Sequence, residues 1–214
     1  MKERTQKIIA ILSEEFPNPK SELHFTSPFE LLVAVILSAQ CTDKRVNQVT
    51  EKLFQVANTP EKMLELSDAT LEQLIYSCGF YKHKAKFLKQ ASYDIVHKFH
   101  GQVPETVEEL RTLSGVGRKT ANVVYAVWFG GQAIAVDTHV FRVSNRLGLA
   151  HAKNVTETEK QLMQEIDREL WSDCHHYILL HGRYVCKSQN PHCNECKLTE
   201  YCEYYRTKNE EKHV

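Results

Sequence analysis

Apolar residues recur at helical spacing along most of the chain. Ile8, Ile9, Leu12 and Phe16 line one face of a segment from 2 to 16, which stops before Pro17-Asn18-Pro19. Ser27-Pro28 opens a second segment, and its run from Phe29 to Ala39 is apolar nearly all round, which suits a core centre. Thr42 or Asp43 can cap a third helix through about Phe54, and Ala57 to Pro60 reads as loop. Two short helices are expected around Met63, Leu64 and Leu66 and around Leu71, Leu74 and Ile75. A turn at Cys78 to Tyr81 leads into a Lys-rich helix from 82 to 99, which Gly101 ends. Thr106-Val-Glu-Glu109 is a capping box that opens a short helix through Leu113. Beyond Gly115 and Gly117, further helices are expected from Lys119 to Phe129, from Asp137 to Leu147, from 156 to 170 and from 174 to 183. Strand alternation with hairpin dipeptides is absent, as is any fixed repeat. The pattern predicts an all-α fold. It divides naturally into two helical lobes, 21–131 and 1–20 with 132–214.

At 214 residues, with 42% hydrophobic and 25% charged residues, the chain has the composition of a soluble globular protein. Lys+Arg and Asp+Glu balance at 27 each, so an anionic partner must be sought in the distribution of charge. Lys82, Lys84, Lys86, Lys89 and Lys98 face only Asp94 between 81 and 100, and Arg118, Lys119, Arg142 and Arg146 face only Asp137 between 114 and 148. The lysine run by itself reads as a solvated helix face. The charged N-terminus lacks the apolar centre of a signal peptide, and the longest apolar run, Leu31 to Ala39, falls short of a bilayer span. A cytosolic chain without membrane contact is expected, nucleoid-associated if it binds DNA.

Candidate chemistry lies between 113 and 139. Gly115 and Gly117 form a tight hairpin between two apolar segments, and Arg118-Lys119 opens the second. Such a hairpin lets backbone amides at a helix N-terminus approach a phosphate closely. A cation at a helix N-terminus is disfavoured, which invites a chemical use for Lys119. The start of a helix, an adjacent Arg118 and partial burial all favour the neutral amine that a nucleophile needs. The helix from 119 to 129 rises about 15 Å. The seven residues 130–136 can span up to about 23 Å, so a return loop can bring Asp137 back beside Lys119. Asp137 also suits an N-cap, and the two uses are compatible.

Seven cysteines without a signal peptide argue against a disulfide framework. Cys41, Cys78 and Cys174 read as small buried hydrophobes. Cys186, Cys193, Cys196 and Cys202 form C-x6-C-x2-C-x5-C within 17 residues, the signature of a thiolate metal site. Spacing leaves zinc and an iron–sulfur cluster both open. Lys187 and Lys197, near Arg183, give this loop a basic surface.

The chain resembles the helix-hairpin-helix superfamily of DNA glycosylases over nearly its whole length. The resemblance rests on Ser27-Pro-Phe-Glu-Leu-Leu, Leu37-Ser-Ala-Gln, Leu113-Ser-Gly-Val-Gly-Arg-Lys-Thr-Ala-Asn-Val-Val, Val136-Asp-Thr-His-Val-Phe-Arg-Val, and His181-Gly-Arg-Tyr followed by the four cysteines. It implies one lobe with the hairpin, one with a cluster, and a DNA-binding cleft between them. It makes Lys119 the amine nucleophile, Asp137 the essential carboxylate, and Cys186, Cys193, Cys196 and Cys202 ligands of a [4Fe-4S] cluster. It assigns DNA contacts to Gln40, Phe80, Gly115, Val116, Gly117, Arg118 and Lys187, with Gln40 filling the gap left by an extruded nucleotide. Phe80 stands where relatives usually have an aliphatic wedge, and Cys41 where they often have a small residue. The implied partner is double-stranded DNA with oxidised pyrimidines or abasic sites, bound by a monomer. The implied activity is base removal with strand cleavage 3′ to the site. Rival expectations are an adenine mismatch glycosylase, disfavoured by Lys119 and by the chain ending at Val214, and a non-catalytic metal-stabilised DNA-binding module.

Overall fold

The computed structural model describes residues 1–210, and among them every regular element is helical. None of these helices is long and apolar enough to cross a membrane. The chain forms two compact units, Ser21–Gly131 and Met1–Lys20 joined with the stretch from Gln132 onward.

Helix α1 (Glu3–Glu15) precedes the first unit, which holds α2 (Pro28–Ser38), α3 (Asp43–Val56), α4 (Pro60–Glu65), α5 (Asp68–Ile75), α6 (Tyr81–Lys98), α7 (Val107–Leu110) and α8 (Arg118–Val127). Ser27 caps α2, its Oγ accepting the Glu30 amide at 3.1 Å, while the Glu30 carboxylate accepts from the Thr26 amide and hydroxyl at 2.6 and 2.8 Å. Every residue from Phe29 to Leu37 is buried, and α2 packs against α3, α6 and α8. Burying each large apolar side chain stabilises by about 1.5–3 kcal/mol, so this helix anchors the unit. Thr42 is the cap of α3.

Three expectations change here. Pro60 belongs to a helix and not to a loop: it is the first residue of α4, where its missing N–H is harmless, and Thr59 caps it. The short helix after Thr106 ends at Leu110, three residues before Leu113, because the chain turns towards the hairpin. Thr106 Oγ1 accepts the Glu109 amide at 3.2 Å and its hydroxyl donates to the Glu109 carboxylate at 2.8 Å. The lysine run is not simply a solvated face. Lys84 and Lys89 donate to backbone carbonyls, and Lys98 pairs with Asp94 at 2.8 Å.

The second unit combines α1 with α9 (Thr138–Leu147), α10 (Val155–Glu165), α11 (Trp171–Tyr184) and α12 (Glu203–Glu210). Its core joins Ile8, Ile9 and Leu12 with Val140, Val143, Leu147, Leu162 and Ile178. The helix expected to run to 170 stops at Glu165. Ile166 is extended, its carbonyl accepts the Trp171 indole N–H at 2.9 Å, and a short 3-10 turn at Arg168–Leu170 leads into α11. Helix α11 packs closely on α9 because residue 182 is glycine: a Cβ there would lie 2.9 Å from the His139 Cβ and 3.0 Å from Val143 Cγ2.

Candidate active site

The hairpin is built on Gly115. Its φ of +76° is the left-handed conformation that glycine adopts without cost, and an added Cβ would stand 2.7 Å from Phe87 Cβ. Val116 anchors the turn from the inside: its side chain is buried in the core of the first unit and its amide donates to the Leu113 carbonyl at 3.2 Å. Gly117, Arg118 and Lys119 are exposed. Gly117 is the N-cap of α8; no side chain caps this helix and its first turn holds no acid. First-turn amides lack partners inside any helix, and the positive dipole end favours an anion. The backbone of residues 117–119 is thus exposed at a helix end that favours an anion, and Val116 holds the turn in place.

Lys119 is the second residue of α8 and is exposed; the partial burial expected of it is not found within the described residues. Asp137 is half-buried and caps α9. Its Oδ1 accepts the amides of His139 at 2.9 Å and Val140 at 2.8 Å, so the backbone fixes the carboxylate's orientation.

One turn apart on α9, Arg142 and Arg146 grip the start of the four-Cys loop. Arg142 donates to the Cys186 carbonyl through Nε (3.1 Å) and Nη2 (3.0 Å), and to the Gly182 carbonyl (2.8 Å). Arg146 donates to the carbonyls of Lys187 (2.7 Å) and Ser188 (3.1 Å) and to Cys186 Sγ (3.4 Å). Cys202 Sγ in turn donates to the Arg146 carbonyl at 3.3 Å. The buried His181 lies between Glu15 Oε2 at 3.1 Å and Cys196 Sγ at 3.7 Å. Lys187 is exposed beside this clamp.

All four cysteines are free thiols. Burial pushes Cys196 up to about 11, and Cys202 and Cys186 add to that shift. Burial likewise raises Cys202, with Cys186 and Cys193 adding. Burial thus makes Cys196 and Cys202 costly to ionise, and a cationic metal centre would offset that cost. The donor set fits a thiolate-held metal group. Among the described residues, no three His, Cys, Asp or Glu side chains already gather as the ligands of one ion.

Gln40 and Phe80 are both exposed and both left-handed, with φ of 54° and 59°. Their loops abut, since a Cβ on Gly79 would meet the Gln40 carbonyl at 3.7 Å. Lys84, Arg142, Arg146 and His181 support these loops and the four-Cys loop but carry only a faint mark in the sequence. The signal for Lys84 was its place in the apolar stripe Leu88, Ala91 and Ile95; for the arginines it was i,i+4 spacing just after a capping Asp.

The pattern of the HhH-GPD superfamily of base excision DNA repair proteins matches residues 33–168. Endonuclease III of Haemophilus influenzae is 48% identical over 198 residues, covering 92% of this chain and 94% of that protein. Endonuclease III of Bacillus subtilis is 50% identical over 192 residues, covering 89% of this chain and 88% of that protein. A solved structure of a trapped endonuclease III–DNA covalent intermediate superimposes with a TM-score of 0.92 at 44% identity, covering 98% of this chain and all of that one.

Proposed function

The chain belongs to the HhH-GPD superfamily of base excision DNA repair proteins, and from that premise we propose a residue-level mechanism for a bifunctional DNA glycosylase and abasic-site lyase. The observation that carries the proposal is the likeness, across 98% of the chain, to an endonuclease III trapped covalently on DNA. An exposed lysine at the start of a hairpin-led helix is the chain's own candidate for that covalent link.

The substrate is double-stranded DNA carrying an oxidised pyrimidine or an abasic site. The damaged nucleotide leaves the stack, because its sugar carbon is unreachable inside the duplex. The backbone at 117–119, with Arg118 and Lys187, holds phosphates and sets register without reading sequence. The amine of Lys119 attacks C1′, the bond from C1′ to the base breaks, and the base departs with a proton. Asp137 stabilises the positive charge that develops on the sugar and assists proton movement, its orientation set by two amides. The sugar ring opens to a Schiff base between Lys119 and C1′. That cation acidifies C2′; loss of a C2′ proton breaks the C3′–O bond, which is β-elimination 3′ to the lesion. Water then releases Lys119.

Cys186, Cys193, Cys196 and Cys202 would hold a [4Fe-4S] cluster, which when bound shapes the loop that carries Lys187 and takes no part in the bond-breaking steps. In bacteria, the source of the relatives above, chromosomal DNA lies in the cytoplasm, and the proposed activity belongs there.

The test is incubation with duplexes carrying thymine glycol or an abasic site, with and without borohydride. The parent chain should give a trapped protein–DNA adduct, and Lys119→Gln should give neither adduct nor strand cleavage. Full cleavage by Lys119→Gln would remove Lys119 from the mechanism. Iron analysis decides the metal: one zinc per chain in place of iron would exclude the cluster.

A further inference from the structure

Lys84 differs from its neighbours in the lysine run. It lies on α6 at 4% exposure, within the apolar stripe of that helix. Its Nζ donates to the Leu37 carbonyl at 2.9 Å and the Ala39 carbonyl at 2.8 Å. Those carbonyls end α2, where the last turn lacks intrahelical donors and the helix dipole is negative. The next residue is Gln40, where the chain turns left-handed and the side chain meets solvent.

The main chain of Lys84 serves the other exposed loop. Its amide donates to the Phe80 carbonyl at 3.0 Å, and Phe80 is left-handed and 65% exposed. Behind both residues the loops touch at Gly79 and the Gln40 carbonyl. The amide bond to Phe80 is the ordinary first-turn bond of α6, which any non-proline residue here would make; what Lys84 itself adds is the side-chain brace on the exit of α2 before Gln40. A buried ammonium carries a desolvation cost that an aliphatic side chain at this position would avoid. What the cation supplies instead is a fixed exit from α2 at Gln40.

We propose that Lys84 is a positioning residue whose side chain fixes the left-handed exit of α2, so that Gln40 is held ready to enter the duplex. This rests on Gln40 being a residue that enters the duplex. Without the brace, Gln40 relaxes towards right-handed or extended backbone. A left-handed conformation is disfavoured about tenfold for a residue with a Cβ. A tenfold fall in the competent population weakens binding by about tenfold.

The experiment measures the dissociation constant for a duplex carrying a tetrahydrofuran abasic analogue, together with the single-turnover base-removal rate at saturating enzyme. Lys84→Met removes the donors and keeps the stem, and Lys84→Arg restores a cation. Lys84→Gln serves for the same comparisons if the Met variant does not fold, as judged by thermal melting. Each substitution is made in the parent and in Gln40→Ala. The expected result is about tenfold weaker binding for Lys84→Met, little change in the saturated rate, substantial recovery in Lys84→Arg, and no further loss when Gln40→Ala is already present. Parent-like binding by Lys84→Met overturns the proposal. So does a tenfold loss that persists in the Gln40→Ala background, because Lys84 would then act elsewhere. Parent-like binding by Gln40→Ala alone strikes the underlying assignment of Gln40, and the proposal falls with it.

Discussion

Replacing Asp137 by Asn and by Ala separates two uses of one carboxylate. In the folded chain Oδ1 accepts amides at 2.9 and 2.8 Å and caps α9. Asn offers an oxygen of the same shape and is an equally good N-cap. It gives up only the negative charge at the positive helix end, worth about 0.3–1 kcal/mol. Ala gives up the acceptor as well, and such truncations cost about 0.5–2 kcal/mol. The two variants should therefore differ by about 1 kcal/mol, which for a chain of this size is roughly 2–4 °C in melting temperature. Base removal is expected to fall on the order of 10²–10⁴-fold in both, if the carboxylate handles charge and protons at the sugar. Calorimetry and single-turnover release from a thymine glycol duplex give the two readouts. Full turnover by Asp137→Asn would leave Asp137 a cap and nothing more. Equal melting of the Asn and Ala variants would show that charge, and not an acceptor, holds the start of α9.

Gly115→Ala forces a left-handed residue against Phe87 at 2.7 Å; the backbone strain alone costs about 1–2 kcal/mol, so duplex binding should fall, and Phe87→Ala should recover part of it. Parent-like binding by Gly115→Ala would mean that the hairpin yields freely. Arg146→Ala removes bonds to two carbonyls and one sulfur, about 2–3 kcal/mol in all, and should speed tryptic cleavage after Lys187; an unaltered rate would show that the loop holds itself. Burial pushes the Cys174 thiol from 9.0 up to about 12, with Asp173 adding. A raised folded value means that stability is full below pH 9 and declines as pH rises towards 12, by at most about 1.4 kcal/mol per pH unit. Urea unfolding between pH 7 and 10.5 should show that decline, and Cys174→Ala should lessen it; an identical slope in both would refute the assignment.

Helices were legible wherever period and cap agreed. Ser27, Thr42, Thr106 and Asp137 are all caps in the fold, because a side-chain oxygen before an apolar stripe has one dominant use. Boundaries failed where a local choice had two outcomes. Pro60 could end a loop or begin a helix, and the chain beyond Glu165 could continue or bend to seat Trp171. The candidate residues stand out in the sequence, and the residues that support their loops do not. Lys119 and Asp137 stand out by chemistry, whereas Lys84, Arg142 and Arg146 bind backbone carbonyls. A carbonyl is present at every position, so no partner residue in the sequence marks such a bond.

The arginine clamp on α9 has a consequence for what can vary. Arg146 takes the carbonyls of Lys187 and Ser188 and ignores their side chains. Loop shape is thus encoded in a helix remote in sequence, and surface chemistry in residues that bear no duty to the fold. Substitutions at 187 and 188 can change the charge of this surface while the main chain keeps its course, as a tool holder accepts a new bit.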